Sequence, residues 1–307
     1  MELGSTTTAD EVMAGVDLSG RTAIVTGAST GIGLLTATAL AAAGASVVAG
    51  ARNDEKGAAT VETIRSRVPG AAVTAGVVDL TSLDSVRRFA DRFVAEGRPL
   101  DLLINNAGVM HTPFERTVEG FELQFGTNHL AHFVLTNLLV RPLLAGAPAR
   151  VVNLSSGGHR NSDIRWDDPN FERTEYDKIA AYGQSKTANI LFSVELDRRL
   201  GDRQVRAYAV HPGRIPTELA RYMAPEDFDA LNARMAASGR VMAPPKSLEA
   251  GAATSLWAAT APELADVGGV YLEDCHISEA APYAVDPDAA RRLWTLSEQL
   301  VGQTFDP

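Results

Sequence analysis

Tyr182 and Lys186 stand four residues apart in AYGQSKTANILF, residues 181–192. On a helix that spacing is a little over one turn, so the two side chains are neighbours on one face. A free phenol titrates near pH ~10, too high for useful proton exchange near neutrality. An ammonium one turn away favours the phenolate and pulls that value down. The pair therefore has the make-up of a proton donor and its tuner. Two plainer alternatives exist: lysine stems snorkel along apolar surface, and a lone tyrosine is commonly half-buried packing. A second stretch, TGASTGIG at 26–33, follows an apolar run and opens a helical pattern, with Gly27, Gly31 and Gly33 spaced GxxxGxG. Glycine permits the tight turn and lets backbone N–H groups approach a pyrophosphate, whose charge sits at the helix N-terminus.

The residue after the next apolar run discriminates between dinucleotides. A carboxylate there binds the ribose 2′-hydroxyl of NAD and repels a phosphate. Here the run ends GARN, with Arg52 and no carboxylate until Asp54. A guanidinium grips a 2′-phosphate with paired hydrogen bonds and stacks on adenine. Arg52 thus predicts NADP(H) over NAD(H), against the alternative of an arginine merely exposed at a strand end. His129 and His132 fall three apart, but no third ligand has a convincing spacing and their neighbours are apolar, so no metal site is expected. His111, His159 and His211 offer no cluster. The acidic run Asp163–Asp168 reads as solvated surface.

These residues need a scaffold to hold them. The chain has 307 residues, 45% hydrophobic and 21% charged, ordinary for a globular protein with a substantial core. With 28 basic against 38 acidic residues and a net charge of −10, nucleic acid and anionic membrane are disfavoured as partners. Cys275 is the single cysteine, so no internal disulfide demands an oxidising compartment. The opening MELGSTTTADEVMAG lacks the basic start and apolar core of a signal peptide. The stretch 34–51 is broken by Thr36, Thr38 and Gly44, so no membrane span is expected and the cytoplasm is the expected location.

Residues 1–17 read as an N-terminal extension in which Thr8 is placed to cap a short helix. Strands are expected at 22–27, 45–50, 72–79, 100–108, 149–156, 205–213 and 268–272, with helices at 32–43, 82–96, 119–144 and 181–200 among others. Continuously apolar strands imply burial on both faces. The fold class predicted for 18–307 is α/β: a single doubly wound Rossmann-type domain, a parallel seven-stranded sheet with helices on both faces. Two segments break the rhythm. Residues 157–180 form a polar insertion carrying Trp166, Phe171 and Tyr176. Residues 214–247 interleave prolines with Met223, Phe228, Met235 and Met242, which suits either ordinary packing or an apolar substrate lid.

Taken together, the motifs resemble the short-chain dehydrogenase/reductase superfamily across nearly all of 18–300. The marks are TGASTGIG (26–33), Asp79-Leu80, NNAG (105–108), Asn128, Ser155-Ser156, YGQSK (182–186) and PGRIPT (212–217). FGTNHLAHF (125–133), the long insertion before the tyrosine and the HPG turn resemble the retinol-dehydrogenase-like and WW-domain-oxidoreductase-like branch, although no WW domain is present.

The resemblance implies an oxidoreductase that interconverts an alcohol and a ketone or aldehyde. The nicotinamide carries the hydride and Tyr182 the proton. Lys186 would also bond the nicotinamide ribose, Ser156 would hydrogen-bond the substrate oxygen as charge develops, and Asn128 would connect Lys186 to solvent through a water. Ser155 is implied to be structural. For the cofactor, Ser29, Thr30 and Ile32 complete the loop of Gly27, Gly31 and Gly33. Asp79 would accept from the adenine amino group beside the Leu80 backbone. Asn106, Ala107 and Gly108 would pass beneath the adenosine ribose, and Pro212, Gly213, Ile215 and Thr217 would face the nicotinamide. The 26 residues between Ser156 and Tyr182 are about twice the gap common in the superfamily, so the insertion must loop out for the tetrad to assemble.

An intact Asn128–Ser156–Tyr182–Lys186 set favours catalysis over a non-catalytic NADP(H)-binding sensor. It also ranks above C=C reduction of a large ring, as in the related protochlorophyllide reductases. The implied partner is a small, largely apolar carbonyl or alcohol. The apolar faces of 119–144 and 181–200 pair subunits in this superfamily but also pack on their own sheet, leaving a homo-oligomer open.

Overall fold

Runs such as TAIV, SVVAGA and ARVVNL carry no polar alternation, so each can be satisfied only as an interior strand covered on both sides. The computed structural model, which describes residues 3–306, pairs them in that way. The strands are β1 (Thr22–Val25), β2 (Ser46–Ala51), β3 (Val73–Val77), β4 (Leu102–Asn105), β5 (Ala149–Leu154), β6 (Val205–His211), β7 (Val270–Glu273) and β8 (His276–Ile277). Their order in the sheet is β3-β2-β1-β4-β5-β6-β7-β8, with parallel pairing through β7. The seven parallel strands match expectation. The eighth is a two-residue antiparallel edge that follows β7 through Asp274 and Cys275, too short to register as a pattern.

The helices are α1 (Ala9–Met13), α2 (Gly31–Ala42), α3 (Asp54–Arg67), α4 (Leu83–Ala95), α5 (Leu123–Phe125), α6 (Ala131–Leu138), α7 (Val140–Ala145), α8 (Lys178–Leu200), α9 (Pro225–Ala237), α10 (Leu248–Thr260) and α11 (Pro287–Val301). Their starts are chemically marked. Thr8 and Glu11 form a capping box at α1, and Asn53, Ser82, Asp177, Ser247 and Asp286 each accept a backbone N–H in the first turn of the helix they open. One face of the sheet packs on α4, α6, α8 and α11 through Phe89, Phe133, Leu191 and Trp294; the other packs on α2 and α10 through Leu40, Leu256 and Trp257. The strand order reverses between β1 and β4, which opens a crevice at their C-terminal ends.

Three readings need correction. The single helix expected at 119–144 is broken: Gly126–Leu130 is a π segment between α5 and α6, and α7 follows Leu139. Such a widened turn places an extra residue, here around Asn128, without interrupting the helix axis. The acidic run is not wholly solvated. Asp168 is buried and its carboxylate accepts from Glu172 N, Arg173 N and Thr174 Oγ1, folding the insertion on itself. The remaining correction concerns the charge state of the tyrosine and lysine, below.

Candidate active site

The loop after β1 meets the loop after β4 at the crevice. Gly27 has φ +64°, and a Cβ on it would lie 2.9 Å from Ala107. The constraint is tighter at Gly33, where a Cβ would lie 2.2 Å from the Gly27 carbonyl oxygen and 2.4 Å from Asn106 Nδ2. That amide bonds the Thr26 carbonyl at 2.8 Å and closes the turn. Thr30 precedes α2 in an extended conformation and its hydroxyl accepts no capping hydrogen bond, and the first turn of α2 holds no acidic residue. The N–H groups of that turn thus face a half-exposed cradle lined by Ser29, Gly31 and Ile32. Thr217 arrives from the loop after β6, its Cγ2 3.6 Å from a Cβ built on Gly31, and Ile215 packs behind it against Gly251. Gly213, at φ +91°, follows Pro212 in the same loop and donates its N–H to His211 Nδ1 at 3.2 Å.

Arg52 sits at the end of β2, its side chain 66% exposed. Its Nε donates to Asp79 Oδ2 at 3.2 Å, and no bond to the described residues occupies its two terminal nitrogens. Burial works to raise the Asp79 carboxyl, but the Thr81 backbone N–H and hydroxyl, with Arg52, hold it below the usual carboxylate range. Leu80 is buried beside it.

On the sheet's other side of the crevice, α8 presents Tyr182, Ser185 and Lys186. Ser156 follows β5, and Gly158 marks where it meets the tyrosine: a Cβ there would lie 2.9 Å from Tyr182 Cε1 and 3.3 Å from Ser156 Oγ. Gly108 marks a second meeting, with Asn128 Oδ1 at 3.0 Å and Lys186 Nζ at 3.6 Å from its would-be Cβ. The π segment thus delivers Asn128 to the lysine. The Asn128 amide donates to Val109 O and Ser185 Oγ, both at 2.9 Å, and its Oδ1 accepts from Val109 N at 2.8 Å. Ser155 donates to the Lys186 carbonyl at 2.9 Å, and Lys186 Nζ donates to Leu154 O at 3.0 Å. The insertion does loop out, anchored where Tyr176 Oη donates to buried Glu122 at 3.0 Å.

The expected tuning of the phenol is overridden in the protein alone. Burial pushes Tyr182 up to about 12, with the Ser156 hydroxyl pulling the other way. Burial also brings Lys186 down to about 7, its Nζ lying 5.6 Å from the Tyr182 ring centroid. Taking both groups out of water penalises each charged form, and that outweighs their mutual attraction. At neutral pH the phenol therefore holds its proton.

Three histidines at the site were not legible as such. The His111 ring stands edge-on to Tyr182 at 5.3 Å, His159 bonds the Ser156 carbonyl, and His211 bonds the Gly213 N–H. Only their closeness in sequence to Gly108, Ser156 and Pro212 hints at this. His132 bonds Thr26 Oγ1 and Asn128 O, and His129 bonds Ser297 Oγ. In the segment after β6, Met223, Phe228, Met235 and Met242 are half-buried among exposed neighbours. The segment is tied to the insertion through Lys178–Asp227 at 2.6 Å, Arg234–Asp177, and Arg240–Asn161 at 3.0 Å.

Comparison with known proteins places this arrangement in context. The family model for short chain dehydrogenase matches residues 21–227. Retinol dehydrogenase 13 of Homo sapiens is 44% identical over 285 residues, covering 93% of this chain and 86% of that protein. Retinol dehydrogenase 12 of Mus musculus is 42% identical over 290 residues, covering 94% and 88%. Among solved structures, an uncharacterized protein from Mycobacterium paratuberculosis superposes with a TM-score of 0.76 at 35% identity, covering 98% of this chain and 99% of that one. A gluconate 5-dehydrogenase from Burkholderia cenocepacia, in complex with NADP and tartrate, superposes with a TM-score of 0.63 at 26% identity, covering 85% and 96%.

Proposed function

Because the chain belongs to the short-chain dehydrogenase family, in its retinol-dehydrogenase-like branch, we propose that it interconverts an alcohol and a ketone or aldehyde on a largely apolar substrate, using NADP(H). The observation that carries the reading is the convergence of the Ser156 hydroxyl and the Tyr182 ring at Gly158, with Lys186 and Asn128 converging at Gly108.

The residues present fit a dinucleotide. A Cβ at Gly33 would clash with the Gly27 carbonyl and the Asn106 amide, so glycine lets the phosphate loop close tightly onto α2, whose first turn has neither acid nor side-chain cap. Gly27, Ser29, Thr30, Gly31, Ile32 and Gly33 would hold the phosphates, Asp79, Leu80, Asn106, Ala107 and Gly108 the adenosine, and Pro212, Gly213, Ile215 and Thr217 the nicotinamide. The free guanidinium fork of Arg52 supports NADP(H) over NAD(H): Nε is held by Asp79 while the two terminal nitrogens can take a phosphate. When bound, the dinucleotide supplies the hydride.

Tyr182 supplies the proton. Burial keeps the phenol protonated at neutral pH, which is the state a donor to a developing alkoxide needs. Ser156 Oγ donates to the same oxygen and stabilises its charge. Lys186, near neutrality in its own titration, replaces the proton lost by the tyrosine, and it would bond the nicotinamide ribose of a bound dinucleotide. Asn128 fixes the loop 108–109 against α8 and opens the lysine's route to water.

The half-buried methionines and Phe228 of 214–247 support a largely apolar substrate under a lid formed by that segment. No helix among the described residues is long and apolar enough to cross a membrane. The buried lone thiol of Cys275 asks for no oxidising compartment, and the cytoplasm is the location proposed. The test is NADPH oxidation by the purified protein across aldehydes and bulky ketones. Turnover favouring apolar members supports the reading; tight NADPH binding without turnover on any member refutes it.

A further inference from the structure

His159 lies three residues beyond Ser156, in the short turn Gly157–Asn161, and is fully buried. Both of its ring nitrogens are bonded. The Ala281 N–H approaches Nε2 at 3.0 Å. A backbone N–H can only donate, so Nε2 carries no proton. The proton must then sit on Nδ1, which donates to the Ser156 carbonyl at 2.6 Å. Connectivity alone thus fixes the tautomer, and burial holds the ring neutral.

The Ser156 carbonyl is gripped twice, since the His159 backbone N–H also donates to it at 3.1 Å. That fixes the peptide plane on which the serine side chain is mounted, while Gly158 N donates to Ser156 Oγ at 3.0 Å. Behind the ring stands the segment Glu279–Tyr283. Tyr283 Oη donates to the His159 carbonyl at 2.8 Å and Arg160 donates to the Glu279 carbonyl, while the one hydroxyl proton of Thr187 on α8 is shared between the Ser162 carbonyl at 2.7 Å and the His159 carbonyl at 3.1 Å. The Tyr271 ring from β7 closes the remaining side at 5.1 Å.

We infer that His159 is a positioning residue for Ser156, tying the serine's peptide to the segment 279–283 so that its hydroxyl stays aimed at the space it shares with Tyr182. The inference rests on the reading of Ser156 as the group that holds the substrate oxygen.

Two substitutions in the full chain test it. His159→Gln keeps an oxygen to accept from Ala281 and an N–H to donate to Ser156. His159→Phe keeps a ring and loses both bonds. A misplacement of about 1 Å at a reacting group can cost on the order of 10²-fold. In His159→Phe, kcat is expected to fall by about 10- to 100-fold, with KM and the NADPH Kd within about 3-fold of the parent. His159→Gln should recover kcat to within about 5-fold. A purely structural role would lower Tm in both variants alike and leave kcat of the folded fraction unchanged; that result overturns the inference. Where phenylalanine prevents folding, Tyr283→Phe removes one anchor bond and should lower kcat at steady KM, and an unchanged kcat there also overturns it.

Ser156→Ala separates the two possible failures. If it leaves kcat intact, the underlying reading of Ser156 falls. If it abolishes turnover while His159→Phe does not, only the positioning role falls. A readout independent of turnover comes from long-range proton–nitrogen NMR of histidine-labelled protein. The His159 ring, identified by its loss in His159→Gln, should be the Nδ1–H tautomer, and an Nε2–H tautomer overturns the inference.

Discussion

Acidifying the protein from pH ~7 to pH ~5.5 should remove much of its stability, because four buried histidines and the half-buried His211 are held neutral in the fold. Burial lowers His111, His132 and His159 to about 4, and His129 and His211 to about 3. In the unfolded chain each titrates near pH ~6.5. Between those values the unfolded state binds more protons than the folded one, so stability falls as pH falls, starting near ~6.5 and levelling only below the folded values. Linkage gives about 1.2 kcal/mol per histidine over that interval, and about 6 kcal/mol for five acting independently. A whole domain has on the order of 5–15 kcal/mol to lose.

Glu122, Asp197 and Glu273 oppose this, since burial raises their carboxyls and the fold takes up their protons before the unfolded chain does. The net loss is therefore expected to be smaller than the ~6 kcal/mol of the histidines alone. Urea unfolding followed by tryptophan fluorescence at fixed ionic strength would measure it, with m checked for constancy. His211 Nε2 already lies 3.7 Å from Glu273 Oε1, so the test bears on the other four: a decrease below about 1 kcal/mol at pH ~5.5 would show that they are hydrated in the fold, contrary to the burial described above.

Other perturbations bear on the site. Arg52→Ala should weaken NADPH by about 10- to 100-fold and NADH by less than about 3-fold; equal effects on both refute the phosphate assignment. Gly33→Ala puts a methyl 2.2 Å from the Gly27 carbonyl, so the phosphate turn has to shift. NADPH affinity is expected to fall by about 10-fold or more, and a parent-like Kd in a folded variant would contradict the cradle. Protease cleavage within 214–247 should slow when NADPH and a carbonyl substrate are added together, whereas an unchanged rate argues against closure.

The parallel sheet was legible because its strands are apolar on both faces, and Thr8, Gly27 and Gly33 announce their turns through chemistry that few other residues supply. The π segment was not. GTNHLAHF has the period of an ordinary helix, and the widened turn arises from tertiary demands: the bonds of Asn128 to Val109 and Ser185, and of His132 to Thr26. Nor could sequence choose what covers the apolar faces of the helices before and after β5. α11 takes part of them, with Trp294 edge-on to Phe133 at 5.0 Å and Arg199 over its ring at 4.1 Å. The titration of Tyr182 was misjudged for the same kind of reason. Four-residue spacing conveys that Lys186 is near but not that both groups are sealed from water, and burial decided the direction.

The measurement closest to the central claim is single-turnover NADPH oxidation by Tyr182→Phe beside the parent, on the best carbonyl of the panel, with NADPH affinity determined for both. Removing the phenolic proton while keeping the ring should lower the chemical step by about 10²–10⁴-fold and leave the NADPH Kd within about 3-fold. A variant that still reduces the carbonyl at a rate near the parent's would show that the proton comes from elsewhere, and the assignment of Tyr182 would fall.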